Sequence, residues 1–248
     1  MSIFVRMKIV DTLWQCRTEL LLGEEALKRL HSSHVLLIGL GGVGGYTAEM
    51  LARSGIGQLT LIDNDVVNAS NINRQLIALH STIGMPKARV WEQRIRDINP
   101  QITLRVKQEF LRDEGTYQLL DEAHYDFVVD AIDTLSPKVH LIKALVERNI
   151  PFVSVMGTGG KLDPTQIKIQ PLKDATNCHL ARMIRKRLRR LDVPLTFPVI
   201  YSQELPREGA IQPTEGEQNK KSVAGTIAHN PAVAGCYASY VAIMNLIK

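Results

Sequence analysis

Short apolar runs alternate along the chain with segments whose apolar residues recur at three- and four-residue spacing. His34 to Ile38 is one such run. It enters a cluster of glycines, after which a helical pattern runs through Ala48, Leu51 and Ala52. Leu59 to Ile62, Ile102 to Val106, Phe127 to Ile132 and Phe152 to Met156 read as further strands. Between them Lys87 to Ile98, Thr116 to Ala123 and Pro137 to Arg148 read as helices, the last with Ser136 as N-cap and Pro137 at its first position. Strands alternating with helices predict an α/β, Rossmann-like fold: a mostly parallel sheet with helices on both faces. Right-handed crossovers then put all the strand ends, and any ligand site, along one edge.

After Gly160 the rhythm changes. Ile167 to Ile169 and Phe197 to Tyr201 are short strand candidates, and Cys178 to Leu191 is helical and strongly basic. Glu204 to Lys221, rich in Pro, Gly, Glu, Gln and Lys, reads as a mobile loop. Pro231 to Ile247 is apolar and falls short of the roughly 20 residues of a spanning helix, so membrane contact is not expected. It reads instead as a helix closing the core or packing on a twin subunit. The organisation expected is one domain over 1–248, with a nucleotide-binding part at 1–160 and a substrate-facing C-terminal elaboration at 161–248.

Composition narrows the class only a little. With 248 residues, 45% hydrophobic and 22% charged, the chain is long enough to bury a core and too apolar for extended disorder. The net charge of +5 leans toward acidic or nucleic-acid partners without choosing one. Cys16, Cys178 and Cys236 are scattered and form no C-x-x-C pair, so neither a disulfide framework nor a zinc site is implied. Arg6, Lys8 and Asp11 interrupt the N-terminal apolar residues, so no signal peptide is read and a reducing, cytoplasmic setting is expected.

The candidate chemistry starts at the glycines. Gly39, Gly41 and Gly44 form G-x-G-x-x-G between a strand and a helix, with Gly42 among them and Asp63 about 20 residues further on. Glycines permit the turn and a close backbone approach, the helix N-terminus offers amides to phosphate, and Asp63 can accept from ribose hydroxyls. This motif alone does not separate NAD from ATP. The residues that follow do: Asp65, then Asn71 and Arg74 in a Ser-Asn-Ile-Asn-Arg-Gln box, then Lys87 and Asp133. Arg74 can grip phosphate oxygens through two bonds, Lys87 adds a point charge, and Asn71 can hold an oxygen without adding charge. Asp133, near the carboxyl end of a predicted strand, is placed to hold magnesium. A nicotinamide site has no use for such a box.

On these residues the first 160 positions resemble the adenylation fold of the ubiquitin-activating-enzyme superfamily, which includes the bacterial molybdopterin- and thiamine-pathway activators. The resemblance implies a magnesium-dependent homodimer that makes an acyl-adenylate and pyrophosphate from ATP. Arg17, in Arg-Thr-Glu-Leu-Leu-Leu-Gly, is similar to the family's N-terminal arginine, which crosses the dimer interface to the neighbour's triphosphate. The second half lacks the zinc pairs of the sulfur-carrier activators and resembles the tRNA threonylcarbamoyladenosine dehydratases. The resemblance lies in the helix after Thr176, in Val199 to Glu204 and in Gly225 to Gly235. That implies Arg17, Asn71, Arg74, Lys87 and Asp133 acting in catalysis, and tRNA as partner. Arg182, Arg185, Lys186, Arg187, Arg189 and Arg190 put six cations in nine positions, a pattern suited to a phosphate backbone and equally to a solvated face. Three alternatives stay open: activation of a small ubiquitin-like or sulfur-carrier protein, a non-catalytic binding subunit, and an NAD dehydrogenase.

Overall fold

The computed structural model describes residues 13–213 and 222–248. Arg6, Lys8 and Asp11 lie outside them, as does 214–221 of the expected loop. Two helices, α1 (Cys16–Leu22) and α2 (Glu24–Ser32), precede the first strand, β1 (His34–Ile38). Then follow α3 (Gly42–Arg53), β2 (Gln58–Ile62), α4 (Lys87–Ile98), β3 (Thr103–Lys107), α5 (Asp113–Asp121) and β4 (Phe127–Asp130). The chain continues through α6 (Leu135–Glu147), β5 (Phe152–Val155), β6 (Ile167–Pro171), α7 (His179–Arg189) and β7 (Pro198–Ser202). A hairpin of β8 (Ile211–Pro213) and β9 (Ser222–Ala224) leads to α8 (His229–Leu246).

Seven strands form one sheet in the order β3-β2-β1-β4-β5-β7-β6, parallel except for β6. Its strands come from both sides of residue 160. Alternation within β1 shows how the sheet is covered: Val35 and Leu37 join one core cluster, Leu36 and Ile38 the other. The first cluster takes in α3, α4 and α8, the second α5, α6 and α7. Because both faces are buried, the central strands read as unbroken apolar runs. The order of the sheet reverses between β1 and β4, which makes that crevice the place for a ligand.

Several local expectations differ from what is found, among them α5, which starts at Asp113, three residues before the expected Thr116. Helix α6 starts two residues early, with Thr134 as N-cap, so Pro137 sits at its third position. Pro is tolerated anywhere in a first turn, whose amides lack intrahelical partners, so Pro137 could not fix the start. Strand β4 stops at Asp130; the Ala131 amide still donates to the Ile38 carbonyl at 2.9 Å, and its carbonyl side packs on the glycines. Within Glu204 to Lys221, residues 211–213 form the first strand of the hairpin. Among the described residues no helix is long and apolar enough to cross a membrane.

Candidate active site

The glycine loop runs from the end of β1 into α3. Gly39 has a positive φ of 89°, and a Cβ on Gly44 would lie 1.7 Å from the Gly39 carbonyl oxygen. Neither position has room for another residue, so the loop owes its shape to its glycines. Asp63, just past β2, is buried and ties the loop down. Its carboxylate accepts from the Leu40 amide at 2.6 Å and from the Asp65 amide at 2.8 Å. Burial pushes the Asp63 carboxyl up, while the Lys87 charge and the two amides oppose that without reversing it.

The box sits over the same loop. A Cβ on Gly42 would meet Arg74 Cγ at 3.5 Å and Pro231 of α8 at 3.1 Å, and one on Gly41 would meet the Gln75 side-chain amide at 3.7 Å. The Arg74 guanidinium donates to the Ser70 carbonyl at 2.8 Å and to Asn73 Oδ1 at 2.9 Å, bonds within its own turn. Asn71 is buried, and its Oδ1 accepts from the Asn68 amide at 3.2 Å. Lys87 opens α4 and is buried; its Nζ reaches Asp65, which is half exposed, at 2.8 Å. The Asn73 side-chain amide donates to the Thr226 carbonyl at 2.9 Å, so the segment after the hairpin docks on the box.

On the β4 side the backbone of Ala131 presses on the loop: a Cβ on Gly39 would lie 2.8 Å from its carbonyl oxygen. Asp133 follows two residues later, exposed. The structure therefore brings Gly39, Gly41, Gly42, Gly44, Asp63, Asp65, Asn71, Arg74 and Lys87 to one strand edge, with Asp133 beside them. Arg17 is on α1, exposed, and that helix packs mainly on α2.

Of the six cations around α7, Arg182, Lys186, Arg187, Arg189 and Arg190 are exposed. Arg185 is half-buried and turned inward, donating to the carbonyls of Leu172 (3.0 Å) and Ala175. It is spent on the turn before the helix, which corrects the expectation that all six present their charge outward. Cys178, the N-cap of α7, is buried.

Sequence reasoning missed two buried lysines. Lys138 and Asp130 form an ion pair of 2.9 Å with both side chains fully buried, and Ser154 Oγ donates to the same carboxylate at 2.6 Å. Burial pulls the Lys138 ammonium down, against the attraction of Asp130. A signal existed: Lys138, Leu141, Ile142 and Leu145 share one helical face, so this lysine stands in an apolar stripe. Lys161, also buried, donates to the carbonyls of Ser202 and Asn177.

The fold and this constellation define a nucleotide-binding α/β protein whose ligand loop is backed by cations and amides. The chain belongs to the ThiF family, whose model matches residues 15–248. It is 38% identical over 239 residues to a tRNA threonylcarbamoyladenosine dehydratase of Bacillus subtilis (strain 168), covering 94% of each chain. To the enzyme of the same name from Escherichia coli (strain K12) it is 40% identical over 184 residues, 73% of this chain and 68% of that one. Its structure is similar to a crystal structure of E. coli tRNA N6-threonylcarbamoyladenosine dehydratase in complex with ATP. The TM-score is 0.86 and the identity 33%, covering 95% of this chain and 94% of that one.

Proposed function

We propose that this chain is an ATP-dependent adenylating enzyme that cyclises N6-threonylcarbamoyladenosine in tRNA. The observation that carries the reading is the convergence of the glycine loop, Asp63, Arg74 and Lys87 at one strand edge, in a chain aligned nearly end to end with a dehydratase of that name. In this reading the carboxylate of the threonyl group attacks the α-phosphorus of ATP, and pyrophosphate leaves. A nucleophile of the same side chain then attacks the activated carbonyl carbon, closing a ring as AMP departs. The net change is loss of water. Ring closure is intramolecular and needs no enzyme nucleophile.

The residues then divide the work. The loop amides and the α3 N-terminus cradle phosphate, and Asp63 and Asp65 hold the ribose side. Asn71 supports the box, while Arg74 and Lys87 neutralise charge as pyrophosphate departs. Among the described residues no three or more His, Cys, Asp or Glu side chains cluster to hold a metal. Magnesium suits that donor set, because it keeps most of its waters and takes one or two carboxylates plus phosphate oxygens. Asp133, exposed beside the glycine loop, would supply that carboxylate; the ion when bound screens phosphate charge.

Arg17 reaches its place in this reading as part of a homodimer. Support comes from the apolar surface around it: Leu20 and Leu21 are 86% and 82% exposed, and Leu13 and Trp14 are exposed too. The exposed cations of α7 face the tRNA, residues 1–160 bind nucleotide and 161–248 face the substrate within one domain, and the setting is cytoplasmic.

The test is pyrophosphate release with bulk tRNA from cells lacking the cyclic modification, against a panel of small carrier proteins, alongside calorimetry with ATP and NAD. ATP binding and tRNA-dependent release are expected. Tight NAD binding without ATP binding would end the adenylation reading, and release driven only by a carrier protein would replace the substrate.

A further inference from the structure

The glycine loop is gripped from outside by Asp63 and from the β4 side by the segment 130–132. That segment is held by one buried side chain. Lys138 Nζ pairs with Asp130 Oδ2 at 2.9 Å and donates to the carbonyls of Ile132 at 2.9 Å and Asp130 at 3.3 Å. These three acceptors account for all three of its protons. Asp130 is equally committed: Oδ2 also takes Ser154 Oγ at 2.6 Å, and Oδ1 takes the Ile132 amide at 3.1 Å. Ser154 lies opposite Asp130 on the neighbouring strand β5, so the network is anchored in the sheet. Two of the three bonds of Lys138 go to backbone, one on each side of Ala131.

Ala131 is the residue that touches the glycines. Its amide donates to the Ile38 carbonyl at 2.9 Å, and its carbonyl oxygen would lie 2.8 Å from a Cβ on Gly39. Moving 130–132 therefore moves both the wall of the glycine loop and Asp133, the next residue but one.

Stability alone does not explain such a pair. Desolvating two charges roughly offsets their attraction, and a well-packed apolar pair of similar volume is often as stable. An apolar pair could not hold two carbonyl oxygens at a fixed height over the loop. We infer that Lys138 is a positioning residue, clamping the segment after β4 against the glycine loop and so fixing where the Asp133 carboxylate stands relative to bound ATP. The inference rests on the reading of Asp133 as the magnesium carboxylate.

The experiment removes both buried charges together, as Asp130→Leu/Lys138→Met in the full chain, so that no lone charge is left inside. Calorimetry then gives the ATP dissociation constant with magnesium and with EDTA, beside Asp133→Asn and the parent. The double variant is expected to keep its EDTA value within about twofold and to lose roughly fivefold or more of the magnesium-dependent tightening, as Asp133→Asn does. Its turnover for pyrophosphate release should fall while the ATP KM measured without excess magnesium holds. If Asp133→Asn loses the tightening and the folded double variant keeps it, Lys138 only fills space and the inference is overturned while the Asp133 reading stands. If Asp133→Asn keeps the tightening, the metal reading fails and takes the inference with it. Should the double variant not fold, Ser154→Ala, which loosens Asp130 without stranding a charge, is measured in the same way. It is expected to lose about two- to fivefold of the tightening, and an unchanged value overturns the proposal.

Discussion

On one side of the glycine loop Lys87 reaches Asp65 at 2.8 Å; on the other Lys138 reaches Asp130 at 2.9 Å. The two pairs have the same chemistry and nearly the same length. In the first, Lys87 is 5% exposed but Asp65 is 54% exposed, so the carboxylate keeps its water and the lysine has a partner it can exchange. In the second both side chains are at 0%, and every bonding site of the ammonium goes to a fixed acceptor. A charge whose partner is solvated remains available to a ligand; a charge sealed in with its partner can act only on the shape of its surroundings. That difference fits the roles proposed for them, Lys87 at the nucleotide and Lys138 in the segment that faces the glycine loop.

Breaking each pair at its lysine separates them most widely. Lys138→Met leaves the Asp130 carboxylate buried and uncompensated, which should cost about 3 to 5 kcal/mol of stability. For a chain of this size that is roughly 6 to 20 °C in melting temperature. Lys87→Met leaves a carboxylate that water already reaches, so the loss should stay within about 1 kcal/mol. ATP binding should respond in the opposite order, weakened in Lys87→Met while its melting temperature falls by no more than about 2 to 4 °C. Thermal unfolding and calorimetry on the two variants check both halves. Equal melting losses would mean that exposure of the carboxylate does not govern the pairs.

Arg74 comes next in size, and it sharpens the same contrast. Its bonds run to Ser70 and Asn73 in its own turn, so its charge, like that of Lys87, is not spent on the core. Arg74→Ala should slow pyrophosphate release by roughly ten- to a thousand-fold, about 1.4 to 4 kcal/mol of transition-state stabilisation, with the fold intact. Unchanged release would remove Arg74 from the proposed machinery.

What could be read from sequence follows the range of the interactions concerned. The glycine loop and the box at Asn71 to Gln75 were legible because each is a short run of chain, and Asp63 because it ends the next strand about 20 residues past the loop. Lys138 was only half legible: its place in an apolar stripe marked it as buried but named no partner, and only the placing of β5 beside β4 brings Ser154 to the Asp130 carboxylate that it pairs with. The start of α6 was misplaced by two residues because Thr134 and Ser136 are both residue types favoured at an N-cap, and nothing local in the sequence chooses between them. The hairpin strands, three residues each, carry too little alternation to show as strands. Its link to the box, Asn73 to Thr226, spans 153 positions. Arg185 shows the limit in miniature, since nothing in the run of cations tells which one turns inward.

That last residue sets up the smallest effect, within a single helix. Lys186 and Arg189 are exposed on α7, whereas Arg185 donates to the carbonyls of Leu172 and Ala175 and steadies the turn that leads into the helix. If α7 lies along a tRNA backbone, Lys186→Gln/Arg189→Gln should weaken tRNA binding by several-fold at moderate salt. The dependence of log affinity on log salt should flatten by up to about 0.7 to 0.9 for each phosphate that is no longer neutralised. ATP affinity and melting temperature should not move. Arg185→Gln should do the reverse, lowering the melting temperature by a few degrees through the loss of two charge-assisted bonds while leaving the salt slope near the parent value. The measurement is tRNA binding at four or five salt concentrations for each variant, with a melting curve beside it. An unchanged slope in the double variant would mean that these cations are a solvated face and that tRNA docks elsewhere. The proposed adenylation chemistry would be untouched by that outcome, because the proposal rests on Arg74 and Lys87 and not on the cations of α7.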